Sequence, residues 1–131
     1  MFGQPSYGIT RTVHLDFDAA VERIRATLAD NGFGVLTEID FSGTIKKKLD
    51  KDMDRYTILG ACHPPSAWAA YQAANPIGLL LPCNVVVAQD GDHVVISAID
   101  PAAMFTVVDA EGMAEVVTDV RQRLTAAIEA A

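Results

Sequence analysis

The stretch CNVVVAQDGDHVVISAID, residues 83–100, decides the fold. Two runs rich in β-branched residues flank a polar centre, so the segment reads as a hairpin of two antiparallel strands. Asp90-Gly91 suits a two-residue type I′ turn, whose central residues both need positive φ. With that turn, Val87 pairs with Val94, Val85 with Ile96 and Cys83 with Ala98, while Asn84 faces Ser97 on the opposite side of the sheet. Strand side chains alternate between faces, so a slip of one residue would put polar groups among the valines.

Upstream, RYTILGAC (residues 55–62) reads as another strand, stopped by His63-Pro64-Pro65. Tyr56, Ile58, Gly60 and Cys62 are expected on one face, and Arg55, Thr57, Leu59 and Ala61 on the other. Proline suits a first helical turn, so a helix is expected through Trp68 and Tyr71, both read as core, to about Ala74. FGVLTEIDF (residues 33–41) is a further strand, with Val35, Ile39 and Phe41 on one face and Glu38 and Asp40 on the other. A short basic helix, Thr44 to Leu49, follows it. The first strand is Gly8 to His14. Asp16 then caps a helix with the stripe Phe17, Ala20, Val21, Ile24 and Leu28, ended by Asn31-Gly32. Beyond the hairpin, Asp100 and Asp109 read as helix caps. The chain closes on a helix with the stripe Met113, Val116, Val117, Val120, Leu124 and Ile128.

The order is therefore strand, helix, four strands, helix. It defines an α+β fold, an antiparallel sheet with helices packed on one face. The other face is expected to carry Leu36, Leu59, Val86 and Val95, which is too apolar for open water. A second copy of the chain is expected to cover it, giving a homodimer.

With 131 residues, 50% of them hydrophobic and 21% charged, the chain fits a single domain, 1–131, with its own core. A net charge of −7 repels phosphate backbones, and the one basic cluster, Lys46 to Lys48 with Lys51, is flanked by Asp40, Asp50, Asp52 and Asp54. No nucleic-acid partner is expected. The most apolar window, IGLLLPCNVVVA, is broken by Gly78, Pro82 and Asn84 and is shorter than the roughly 18–20 residues of a membrane span. The start, MFGQPSYGITR, lacks the basic-then-apolar pattern of a signal peptide. These features lead us to expect a cytoplasmic protein, without a membrane partner, whose thiols stay reduced.

The two cysteines are too few for a disulfide framework. Cys62 ends one strand and Cys83 begins the next. As antiparallel neighbours they would meet at one end of the sheet, within touching distance, with residues 63–82 looping over them. The helix starting at Pro64 favours a Cys62 thiolate through its positive end, whereas burial favours the thiol. Cys62, His63, Cys83 and Asn84 are thus the candidate ligand-binding residues. The thiols suit a soft or thiol-reactive ligand, Asn84 offers an amide, and the helix start offers backbone N–H groups to an anion. A soft metal ion is a weaker reading, because Zn²⁺ usually takes four ligands and His63 points away from Cys62 on an ideal strand.

No P-loop, paired glycine fingerprint, metalloprotease helix or nucleophile elbow occurs, and no cofactor is indicated. Three functions remain open. One is a dimeric binding or sensing domain with a thiol-lined site. Another is an interaction module in which both cysteines are core. The third is a redox enzyme with Cys62 as nucleophile and Cys83 as resolving thiol, for which His63 is the one base in reach and no acid orients it.

In this order and spacing, FGVLTEID, ILGACHPP, IGLLLPCNVVV and VVISAIDPAAM closely resemble the domain of unknown function 302 family, from about Phe33 to the last helix. Gly60-Ala61-Cys62-His63-Pro64 and Leu81-Pro82-Cys83-Asn84 carry most of the likeness. The resemblance implies a fold similar to the TATA-binding-protein-like class, usually as a homodimer, and no established activity. A shared fold does not transfer DNA binding.

Overall fold

In the computed structural model, which describes residues 1–131, the chain follows that order. β1 (Gly8–Val13) leads to α1 (Phe17–Asp30), β2 (Gly34–Asp40), a short α2 (Phe41–Leu49) and β3 (Tyr56–Cys62). α3 (Pro64–Ala73) and a 3-10 turn (Asn75–Leu80) connect to the hairpin β4 (Cys83–Asp90) and β5 (His93–Ile99). α4 (Pro101–Met104) and α5 (Met113–Ala130) complete it. The five strands lie in the order β1-β5-β4-β3-β2, and every neighbouring pair is antiparallel.

Local chemistry sets the ends of α1. The Asp16 carboxylate accepts the Ala19 N–H at 2.8 Å, a side-chain N-cap. The chain leaves the helix through Gly32 at φ +87, a conformation costly for a residue with a Cβ. Ile24 and Leu28 of α1 and Leu124 of α5 are fully buried against Leu59, Val85, Val87, Val94 and Ile96. Asp100 caps α4 by accepting the Ala102 N–H. Asp109 caps nothing; Gly112, at φ +85, precedes α5.

The hairpin register differs from the expected one by two residues. Val85 lies opposite Ala98, Val87 opposite Ile96 and Gln89 opposite Val94, which puts Gly91-Asp92 at the turn. Gly91 has φ +65 and Asp92 has no positive φ, the pattern of a type II′ turn with glycine first. A shift of two preserves both faces, so the valines stay with the helices. Asp90 is released from the turn, and its carboxylate accepts the Phe2 N–H at 3.0 Å.

Two other face assignments change. Leu59 and Ala61 lie opposite Val85 and Cys83, so they face the helices, and Ile58 and Cys62 alternate away from them. In β2, Leu36 occupies a β-bulge between Val35 and Thr37. The extra residue reverses the alternation beyond it. Ile39 then sits opposite Ile58 on the outer face, and Glu38 turns to the helix side, where Arg25 donates to it at 2.8 Å.

The outer face is covered by the chain itself around Val95 and Ala88, only 3% and 4% exposed. Residues 1–7 run along it, tied by Phe2 to Asp90 and by the Asp100 N–H, which donates to the Tyr7 carbonyl at 2.8 Å. The exposed apolar side chains Leu36, Ile39, Phe41, Leu49 and Met53 instead gather along β2, α2 and the loop after it. Trp68 and Tyr71 are not core. They are 60% and 47% exposed and stacked, centroids 5.6 Å apart, because α3 buries the small residues Ser66 and Ala70 instead.

Gly60 is a point of close approach between β2, β3 and the chain entering β4. A Cβ there would collide with Thr37 Oγ1 and come within 2.8 Å of Pro82 Cγ. We expect Gly60→Ala to cost about 1–3 kcal/mol in urea denaturation. Adding Thr37→Ala should recover part of that loss, which an effect confined to backbone entropy would not do.

Candidate functional site

β3 ends and β4 begins at the same edge of the sheet, and His63 to Pro82 loop over it. The ladder puts Ala61, not Cys62, opposite Cys83. The cysteines are therefore offset and alternate to opposite faces, and both remain free thiols. They do not touch. They instead share the wall of a chamber of about 20 Å³. That is space for about one water molecule. Phe33, Ala61, Pro82, Phe105, Val116 and Val120 make the lining largely apolar.

This environment settles the competition at the thiols. Burial, with a smaller contribution from Cys62, pushes the Cys83 thiol up to about 11. Burial also raises the half-buried Cys62 thiol. The helix start is a poor counterweight. Pro64 and Pro65 have no N–H, and the Ala67 N–H already donates to the His63 carbonyl at 3.0 Å. At most the Ser66 N–H is left for an anion, fewer than the sequence suggested.

His63 is held in a polar chain. Its Nδ1 lies 2.6 Å from Ser66 Oγ, and Ser66 Oγ donates to Asp119 Oδ2 at 3.2 Å. Because the Ser66 proton goes to Asp119, the Ser66 oxygen accepts from an Nδ1–H. Neutral His63 therefore carries its proton on Nδ1, leaving the Nε2 lone pair free. Arg123 Nε donates to the same Asp119 oxygen at 3.0 Å, and its Nη1 donates to the Asn31 carbonyl at 3.2 Å. The imidazole packs on Phe33, centroids 5.9 Å apart. A Cβ on Gly32 would come within 2.9 Å of His63 Cδ2 and 3.2 Å of Arg123 Nη1. Glycine is thus required there by space as well as by φ.

Burial lowers the His63 pKa, Arg123 lowers it further, and Asp119 opposes both. The Arg123 hydrogen bond holds Asp119 below the usual carboxylate range. Ser66, Asp119 and Arg123 were not among the residues singled out from sequence. Ser66 sits three residues after His63 on the first turn of α3, which was readable. Asp119 and Arg123 are an i,i+4 pair on α5, and nothing local says that α5 crosses this end of the sheet.

His63 and Ser66 line both the chamber and an open cleft of about 320 Å³ between α3 and α5, whose other wall carries Asp119 and Arg123. Three of the four candidate residues, Cys62, His63 and Cys83, thus converge. Asn84 does not. It lies opposite Gly60 on the outer face, exposed to solvent. No group of three or more His, Cys, Asp and Glu side chains is placed to hold a metal ion. No helix is long and apolar enough to cross a membrane.

A helix-backed antiparallel sheet, with two free thiols and a histidine relay at one end, defines a small α+β domain. The chain matches the family described as "Domain of unknown function DUF302" over residues 9–131, and it belongs to that family. A solved structure, "Crystal structure of uncharacterized conserved protein DUF302 from Bacillus stearothermophilus", is 24% identical. The match covers 95% of this chain and 98% of that one with a TM-score of 0.88, which shows a common fold. No functionally curated protein matches the chain.

Two pH-dependent outcomes follow. From pH 9.0 to about 11 the unfolded Cys83 thiol ionises while the folded one stays protonated. The native state then holds more protons, so stability falls as pH rises, by up to about 3 kcal/mol from this group. Urea denaturation at rising pH should show that slope, and Cys83→Ala should flatten it. In an NMR titration His63 should titrate below 6.5. Arg123→Gln should move it up and Asp119→Asn further down; the opposite order would refute the relay.

Proposed function

We propose that the chain is a homodimeric small-ligand-binding or sensing domain, with a TATA-binding-protein-like fold and its site at the Cys62/Cys83 chamber behind His63. The supporting observation is the convergence of Cys62, His63 and Cys83 on one chamber whose outer wall, His63 and Ser66, also faces an open cleft. A ligand for so small and apolar a space is uncharged, soft and only a few atoms across. His63 stands between the chamber and the cleft, so displacing its ring would widen the entrance. Free thiols suit a reducing compartment such as the cytoplasm.

The redox-enzyme reading is disfavoured, because both thiols are shifted away from thiolate. The exposed Trp68–Tyr71 stack favours the interaction-module reading as second choice. For the dimer, β2 is an edge strand, and an edge offers unpaired backbone groups to a second copy. The apolar side chains Leu36, Ile39 and Phe41 beside it would be covered by that copy.

Methyl methanethiosulfonate, a small thiol-specific reagent, tests the chamber when labelling is followed by intact mass. Cys62 should react first and slowly, and Cys83 only after a delay that His63→Ala shortens at least tenfold. Labelling of both at the rate of a free cysteine, or of neither under native conditions, would remove the proposed site. Sedimentation tests the dimer: Ile39→Lys should shift a dimeric mass to a monomeric one.

A further inference from the structure

The outer face of the sheet carries a second, larger concavity, distinct from the thiol chamber. It is a groove of about 410 Å³. Its floor is Val86, Ser97 and Ile99, one wall is the segment with Phe2, Pro5 and Tyr7, and Tyr56 and Asn84 stand on the other side. That volume lies in the ordinary range for small-molecule sites, roughly 300–1,000 Å³.

The wall is built rather than draped. Phe2 is tied to Asp90, the Gly8 N–H donates to the Pro5 carbonyl at 3.1 Å, and the Tyr7 carbonyl accepts from Asp100. Pro5 sits so near β1 that a Cβ on Gly8 would come within 3.1 Å of its ring. Tyr56 is braced from behind by Phe41, ring centroids 5.2 Å apart.

The groove's polar groups are the informative part. Ser97 Oγ is engaged with Thr10 Oγ1 at 2.7 Å. The Tyr7 and Tyr56 hydroxyls and the Asn84 carboxamide make no hydrogen bond within the chain, although Tyr56 is a half-buried residue. Three unpaired hydrogen-bonding groups thus surround an apolar floor. The lining includes no Asp, Glu, Lys, Arg or His side chain, and its one charge, the Met1 ammonium, is already paired with the Asp90 carboxylate, so a charged ligand would find no free counter-charge. Two phenol rings favour contact with a flat π-system.

We propose that this groove binds a small, neutral, planar ligand, its face against Val86 and Tyr56 and its hydrogen-bonding edge on Asn84 and the two tyrosine hydroxyls. Asn84 thereby acquires a role apart from the thiols.

Indole, which is neutral and flat and has one N–H, serves as the probe in an amide NMR titration of the whole chain at millimolar ligand. Saturable shifts are expected at the Asn84 side-chain amide and at the backbone amides of Val86 and Ser97. Asn84→Ala and Tyr56→Phe should each weaken binding about 2- to 10-fold. Val86→Trp, which fills the floor, should abolish it; if that variant does not fold, the other two decide. The proposal is overturned by absence of saturation, by shifts confined to Trp68 and Tyr71, or by both polar variants binding as well as the parent. Shifts at the groove that follow protein concentration without indole would also overturn it, because a second copy would then be the occupant.

Discussion

The pairing of β3 with β4, with Ala61 opposite Cys83, is the constraint on which the rest of the structure depends. It sets which side of β3 meets the helices, so Leu59 and Ala61 go inward and Ile58 goes out. It brings the end of one strand beside the start of the next, so the connection from His63 to Pro82 must fold over that edge. Gly60 permits this closeness, since Thr37 and Pro82 occupy the space a side chain would need. The Gly-Ala-Cys element therefore has a packing reason for its first two residues. Ala61 is only 1% exposed, so a larger side chain there would press into the helix layer.

The electrostatics of the site follow from what surrounds each group more than from which residues are neighbours in sequence. A cysteine two positions before a helix is ordinarily a candidate for activation. Here the first helical turn holds two prolines, and the chamber is lined mainly by hydrocarbon. Desolvation therefore prevails at both sulfurs. The same proximity that looked like a reactive pair in the sequence yields two protonated thiols. The charged groups lie on the far side of His63, where Asp119 and Arg123 neutralise one another in a cleft open to water.

Much of the fold was legible because it rests on short-range rules. The α1 stripe and its Asp16 cap, the order of elements along the chain and the closing helix all came from periodicity and capping. Face assignments failed where a single residue reset the count. The bulge at Leu36 inverted β2 beyond it, and the choice between Ile58 and Leu59 as core was not decidable from β3 alone, because both alternate with equal regularity. The turn was misplaced because Asp90-Gly91 and Gly91-Asp92 are both acceptable two-residue turns, and the local sequence does not choose between them. The site was half legible. Cys62, His63 and Cys83 belong to local motifs, whereas Asp119 and Arg123 enter through the way α5 crosses the sheet. Trp68 and Tyr71 were misplaced because α3 is apolar all round, and its small residues proved the better match for α5.

Gly32 joins the end of α1, the His63 ring and the Arg123 side chain at one point where no methyl group fits. The mechanical consequence is a stiff corner. His63 is backed by main chain there, so the imidazole has no slack in that direction. Displacing the ring toward the cleft instead would break its 2.6 Å contact with Ser66 Oγ, so the mobility of the imidazole is tied to the life of one hydroxyl contact.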